Sequence, residues 1–360
     1  MLGLFREFNE ENYIQLPSHC GQEVIKNLFK NIKSWQKARK EYAKNPSKFL
    51  GRPKLPKYKK KTSICLFTNQ QIKLKNGFIH FPKQANLKPL KTKQDNVQQV
   101  RIIPHINHCI IEVVYNVIDV HKKEYNGNWM GIDLGLNNLA ACTSNTGSFI
   151  INGKPLKSIN NYYNRRKKSL QSKLCKDVFL SKRIERITHK RNNKVKDYLH
   201  KASRVIVDNA IKSETTKIII GKNENWKQEI NIGKKNNRQF TSIPHATLIE
   251  MIKYKAQMAG VEAIVTQEAY TSKCSAIDLE PICKHETYLG KRKKRGLFVT
   301  RDGKLINADS NGSLNIARLG LSASGNEMKI SELVLSCVSQ PKKLDVLNSK
   351  TEYLKCFNAK

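Results

Sequence analysis

From Val24 to Ala38 the apolar residues Val24, Ile25, Leu28, Phe29, Ile32 and Trp35 recur at steps of three and four. That period places one stripe along an α-helix and predicts that the stripe packs against something. The stretch from Gly51 to Lys61 breaks the pattern, with two prolines that forbid regular structure and six cations. It reads either as a solvated linker or as a phosphate-contacting loop. The period then shortens: Ile64–Phe67, Phe78–Phe81, Val100–Ile103 and Ile110–Tyr115 are short β-prone runs separated by polar turns such as Lys75-Asn76-Gly77. They predict a small antiparallel barrel or sheet. The polar segment His121–Asn128, containing Asn126-Gly127, marks a domain boundary.

Past that segment, strands opening at Trp129–Asp133, Leu139–Thr143 and Ser148–Ile151 are joined by Gly or Asn turns and predict an antiparallel meander. Leu156–Arg204 is a helical region with an inner stripe of Val195, Tyr198, Leu199, Ala202, Val205 and Ile206 and an outer face that is strongly cationic, 16 Lys and Arg against three acids. Lys217–Gly221 reads as a buried strand, Ile243-Pro244 opens a helix that runs to Gly260, Val261–Gln267 is the next strand, and Asp309–Leu319 makes a closing helix. Meander, helix, strand, helix, strand is the order of an RNase H-like α/β sheet covered by helices on both faces. No internal repeat is evident, and Ser322–Lys360 carries no usable pattern.

Composition adds a class of partner. In 360 residues, 66 Lys and Arg stand against 29 Asp and Glu, a formal charge of +37. A surface that cationic repels itself unless it works against a polyanion, and nucleic acid is the leading candidate. A membrane is not indicated, because no run of about 18 apolar residues exists and no basic amphipathic helix stands alone at a terminus. The N-terminal residues lack the charged head and apolar stretch of a secretory signal, so a cytoplasmic, nucleoid-associated protein is expected. The nine cysteines follow no repeated spacing and are expected to be free thiols.

Three carboxylates carry candidate chemistry. Cutting a phosphodiester calls for positive charge at the attacking and leaving oxygens, which divalent ions on oxygen ligands provide. Asp133 is isolated in the apolar run Gly131-Ile132-Asp133-Leu134-Gly135 and needs a cation, with the flanking glycines leaving room for a backbone or a phosphate. Asp309 stands where a helix begins and reads equally as an N-cap or a metal ligand. Glu268 follows the end of an internal strand, the edge at which open α/β sheets bind ligands, although a loop glutamate is the commoner meaning of such a residue.

Taken together, Gly131–Ala140 resembles the first RuvC motif of the TnpB (OrfB-type) proteins of insertion sequences, and Asn307–Ile316 resembles their third. Gly51–Tyr58, Ser203-Arg204, Trp226-Lys227-Gln228, Tyr270–Ser275 and Arg295–Phe298 are similar to further family segments, in consistent order over about residues 20–320. The resemblance implies an RNA-guided DNA endonuclease with a RuvC-like domain, a small β-barrel, a helical recognition region, and Mg²⁺ or Mn²⁺ held by Asp133, Glu268 and Asp309. It also implies DNA and guide-RNA partners; a monomer is expected, and by their charge Arg52, Lys54, Lys57, Lys59, Arg165, Arg166, Arg183, Arg191, Arg204, Lys227 and Lys273 are expected to contact nucleic-acid backbone. The expected organisation is a helical region at 1–50, a barrel at 51–126, a nuclease domain at 127–320 with an insert at 270–305, and a tail at 321–360.

The chain departs from the family pattern in three ways. The strand ending in Gly221-Lys222-Asn223 lacks the usual following Glu-Asp-Leu, so the middle carboxylate is expected at Glu268, as in the branch shared with Fanzor, with Glu224 as the rival. The insert offers Cys274, Cys283 and His285 without paired spacing, so no structural zinc is expected, and Lys291–Arg295 reads as a solvated turn or phosphate contact. Family members carry more material before the helix at Val24, so a shortened N-terminal region is expected. A non-catalytic nucleic-acid-binding remnant and a strand-joining transposase are the competing functions.

Overall fold

The computed structural model describes residues 15–57, 63–105, 108–117, 120–176, 178–223, 233–326, 328, 332–344 and 346. The chain divides into two compact units, residues 1–119 and 120–360. The division precedes the polar segment taken from sequence as the boundary, because that segment is already tied into the second unit. Asn126 Nδ2 donates to the Glu214 carbonyl at 3.0 Å, and the Lys123 amide donates to the Gly260 carbonyl at 2.9 Å.

In the first unit helix α1 spans Ser18–Lys44, longer at both ends than its apolar stripe. Only Cys20 and Gly21 are buried, and Val24 and Leu28 remain 54% and 49% exposed. The stripe is therefore partly covered: Ile25, Phe29, Ile32 and Trp35 are half-buried, and Trp35 Nε1 donates to the Pro53 carbonyl at 3.2 Å. Strands β1 (Cys65–Thr68), β5 (Val97–Pro104) and β6 (Cys109–Tyr115) form one antiparallel sheet, and β2 (Lys73–Lys75), β3 (Phe78–His80) and β4 (Leu90–Lys91) form another. Asn76 and Gly77 both take positive φ, 51° and 73°, the conformation that a two-residue hairpin turn between β2 and β3 requires. One core of Cys20, Phe67, Ile72, Ile79, Val97 and Val100 serves the unit, so the helical segment and the strands expected as separate regions fold together.

The second unit is built on β7 (Trp129–Leu134), β8 (Asn138–Ser144), β9 (Gly147–Asn152), β10 (Lys217–Gly221), β11 (Glu262–Thr266) and β15 (Lys342–Leu344). The spatial order is β11-β10-β7-β8-β9-β15. The meander β7-β8-β9 is antiparallel, whereas β10 runs parallel to both β7 and β11, and β15 parallel to β9. Alternation sorts the strand side chains between faces. Ile218 and Ile220 enter the core with Val195, Leu199 and Ile206 of α3 (Lys182–Lys212) and with Leu248 and Ile252 of α5 (His245–Met258), while Ile219 enters the core with Ile316, Ala317 and Leu321 of α6 (Ala308–Ala323).

The region read from sequence as one helical stretch is two helices, α2 (Lys154–Gln171) and α3. A short α4 (Lys234–Thr241) precedes α5. The room left by Gly131 is filled from within, since a Cβ there would stand 2.1 Å from the Ser313 carbonyl oxygen of α6. The insert contains a three-stranded sheet, β12 (Lys291–Lys294), β13 (Leu297–Val299) and β14 (Leu305–Asn307), so the cationic run expected as a turn is a strand. The segment without sequence pattern supplies α7 (Glu332–Ser339) and the edge strand β15, which is too short and polar to show a period.

Candidate metal centre

Register places the acids at one end of the sheet. Ile132 of β7 pairs with Ile220 of β10, and Gly221 pairs with Thr266 of β11, so Asp133, Gly221 and the chain entering Glu268 follow one another across parallel neighbours. Glu268 lies two residues beyond the end of β11 and turns back over β10. Gly221 permits this, because a Cβ there would be 2.5 Å from Glu268 Oε2. At the strand end where the family pattern would put a carboxylate, Asn223 instead holds the displaced one. Its Nδ2 donates to Glu268 Oε1 at 3.3 Å, and its Oδ1 accepts from the Glu268 amide at 3.1 Å.

Asp309 arrives from the first turn of α6, but the cap belongs to Asn307, whose Oδ1 accepts from the amides of Asp309 and Ser310 at 3.0 and 3.2 Å. The capping alternative is thereby taken by a neighbour, and the Asp309 carboxylate turns to other groups. It accepts from Asn138 Nδ2 at 2.5 Å and lies 3.6 Å from Arg292 of β12. The rest of the Asp309–Asn315 run anchors the helix. Ser310 and Ser313 bond to the buried hydroxyls of Ser148 and Thr143 at 3.0 and 2.7 Å, fastening α6 to the meander. Asn311 and Asn315 donate to the Cys274 carbonyl at 2.9 and 2.8 Å, fastening the loop after Glu268. Gly312 admits Asp133, since a Cβ there would be 2.8 Å from Asp133 Oδ2.

The electrostatics follow from this crowding. Burial, then the Glu268 and Asp309 charges, push the Asp133 carboxyl well above its ordinary value, and Arg292 opposes them. Burial pushes Glu268 up to about 7. Glu268 Oε2 is buried without a hydrogen-bond partner, an orphaned acceptor aimed into an acidic cluster. These are oxygen-only donors, which suit Mg²⁺ or Mn²⁺. Among the described residues the three acids do not each bring an oxygen within 4.8 Å of both others. With bonds of roughly 2.1 Å, ligands of one Mg²⁺ lie no more than about 4.2 Å apart, so the acids as placed do not share a single ion.

The cations read from sequence divide. Arg52, Lys54, Lys57, Arg165, Arg166, Arg183 and Lys273 are exposed or half-buried, Lys273 lying 5.8 Å from the Tyr288 ring. Arg191 serves the structure, donating to Asn160 Oδ1 at 2.7 Å and to the Ser242 carbonyl at 2.8 Å. Arg204 pairs with Asp208 at 2.9 Å. Lys59, Lys227 and the rival Glu224 lie outside the described residues. Sequence reasoning passed over Asn138, Gly221, Asn223, Arg292 and Gly312; only the absence of a carboxylate after Gly221 signalled that the strand end was unusual.

In the insert, Cys274 is buried with its thiol 3.7 Å from the Cys283 carbonyl, and Cys283 Sγ lies 3.4 Å from His285 Nε2. A buried acid organises this loop. Glu280 accepts from the Ser275 and Leu289 amides at 2.6 and 2.9 Å, and Asp278 accepts from Ser275 Oγ and the Arg301 amide at 2.5 and 2.9 Å.

Two parts of the chain match known protein families. Residues 112–227, which include Asp133, match the OrfB_IS605 family of probable transposases, and residues 245–316, which include Glu268 and Asp309, match the Cas12f1-like TNB domain. A TnpB-like protein of Methanocaldococcus jannaschii is 30% identical over 130 residues, which cover 36% of this chain and 45% of that protein. Over part of its length the chain is thus similar to TnpB-type proteins. The chain thus spans less than half of that TnpB-like relative. A solved Cas12f1–sgRNA–target DNA complex is similar at a TM-score of 0.49 and 16% identity, covering 71% of this chain and 59% of that one. A CRISPR-Cas12f ternary complex is similar at 0.39 and 18%, covering 61% and 45%. Among the described residues no helix is long and apolar enough to cross a membrane.

Proposed function

We propose that this chain is a TnpB-type RNA-guided DNA endonuclease with an RNase H-like (RuvC) nuclease domain and an N-terminal barrel-like domain. The observation that carries the reading is the meeting of Asp133, Glu268 and Asp309 from three separate elements, with one Glu268 oxygen buried and unsatisfied. Asp133, Glu268 and Asp309 would hold divalent metal, Mg²⁺ or Mn²⁺. Such ions supply charge at the attacking and leaving oxygens of the scissile phosphodiester.

The chain's own groups prepare that centre. Asn223 and Asn138 orient Glu268 and Asp309, Arg292 keeps a positive charge beside the acids, and Gly312 lets the helix approach Asp133. The cations of α2 and of the Gly51–Lys57 loop would hold nucleic-acid backbone, with sequence choice delegated to base pairing with the guide. Cleavage of a target duplex by the chain with its cognate guide, in Mg²⁺ and in chelator, tests the proposal. The expected result is metal-dependent cleavage that Asp133→Asn, Glu268→Gln and Asp309→Asn each abolish while RNA binding persists. Cleavage unchanged in Asp133→Asn would sink the assignment, and RNA binding without cleavage in the unsubstituted protein would favour the non-catalytic alternative.

A further inference from the structure

We propose that the cleft between α2 and α3 is a stacking site for one unpaired nucleotide. From α2, Ile159, Tyr162, Tyr163 and Arg166 share one face at helical spacing; from α3, Ile187, Lys190, Arg191 and Lys194 do the same. The two faces enclose a cavity of about 440 Å³ lined by no acid, a size within the roughly 300–1,000 Å³ of small-ligand sites. Its interior is aromatic and aliphatic and its rim cationic, the pairing that a nucleobase and its phosphate require.

The walls are built before any ligand arrives. The Tyr163 hydroxyl lies 2.9 Å from Thr188 Oγ1, the Arg191 guanidinium stands 5.7 Å from the Tyr163 ring, and Asn160 and the Ser242 carbonyl hold that guanidinium in place. Tyr162 stands at the mouth and is 62% exposed, its ring open to a partner. Arg166, Lys190 and Lys194 are exposed, so their charge is available to phosphate. A base inserted between the helices would stack on a tyrosine face while the rim cations meet its flanking phosphates. A fully paired duplex keeps its bases stacked and offers none to the cleft.

The inference rests on the nucleic-acid reading above, though not on cleavage. Its test uses the full chain and twelve-residue adenine oligonucleotides of RNA and of DNA carrying one 2-aminopurine, with a blunt duplex as control. Tyr162→Ala is expected to weaken single-strand binding roughly 5- to 100-fold and to abolish the fluorescence quenching that reports stacking, while duplex binding stays within about twofold. Tyr162→Phe should retain both. Replacing Arg166, Lys190 and Lys194 by Gln should lower the salt slope for single strands by about 2, at roughly 0.7 per phosphate contact. Preference between the RNA and DNA strands identifies the source of the nucleotide. If Tyr162→Ala weakens duplex and single strand alike, or neither, the cleft is not a base site although the nucleic-acid reading stands. Failure of the unsubstituted chain to bind any of the three sinks both. Displacement of the oligonucleotide from the cleft by polyglutamate at equal charge would also overturn the proposal, making the cleft a site for acidic peptide.

Discussion

Gly221 ends β10 without a side chain, and Glu268 lays its carboxylate over that position, where a Cβ would come within 2.5 Å of both Glu268 Oε2 and Ile316 Cδ1. The displaced glutamate and the glycine are two halves of one arrangement. Gly221→Ala is expected to cost about 1–3 kcal/mol, as overpacking of a filled core does, and to push Glu268 off the acids. Urea unfolding measures the first effect, and guided cleavage should fall with it. Full cleavage in Gly221→Ala would show that Glu268 does not act from this space.

Asp133 is held at a cost, pushed up by burial and by two like charges. In chelator, Asp133→Asn should therefore stabilise the protein and raise its melting midpoint. The same variant should lose the additional stabilisation that Mg²⁺ gives the unsubstituted chain. Calorimetry with and without Mg²⁺ reads both, and equal metal responses in the two proteins would remove Asp133 from the ligand set.

Lys255 gives a pH signature away from the acids. Burial first, then the Arg204 charge, lowers its ammonium to about 8, Asp208 partly opposing, and the ammonium donates to the His200 carbonyl and Ser203 Oγ at 2.7 and 2.6 Å. The unfolded chain takes up this proton at higher pH than the folded one, so stability falls as pH drops from about 10.5 to about 8 and is flat below. Relative to Lys255→Met, the unsubstituted protein should lose no more than about 3 kcal/mol across that window. Parallel pH profiles for the two would contradict the shift.

Glu280 is 2% exposed and satisfies two backbone amides of the insert. Glu280→Ala strands both donors and should cost about 2–4 kcal/mol. Hydrogen exchange would show the loss locally, with the Ser275 and Leu289 amides opening and those of β7 remaining protected. Uniform loss of protection would mean that the insert is not an independent structural unit.

The sequence by itself determined the elements with a regular period, the meander, the buried strand Lys217–Gly221, and the helices later seen as α3 and α5, because periodicity of burial is written locally along the chain. It also singled out Asp133, since a lone acid in an apolar run is costly to bury without a cation beside it. Only the tertiary structure decided that Asn307 takes the cap, that Glu268 crosses above Gly221, that Arg292 belongs to the acidic centre, and that the patternless Lys342–Leu344 completes the sheet edge. Each of these depends on a distance through space, such as Asn138 to Asp309 across 171 positions, and hydropathy along the chain carries no record of which distant residues will meet.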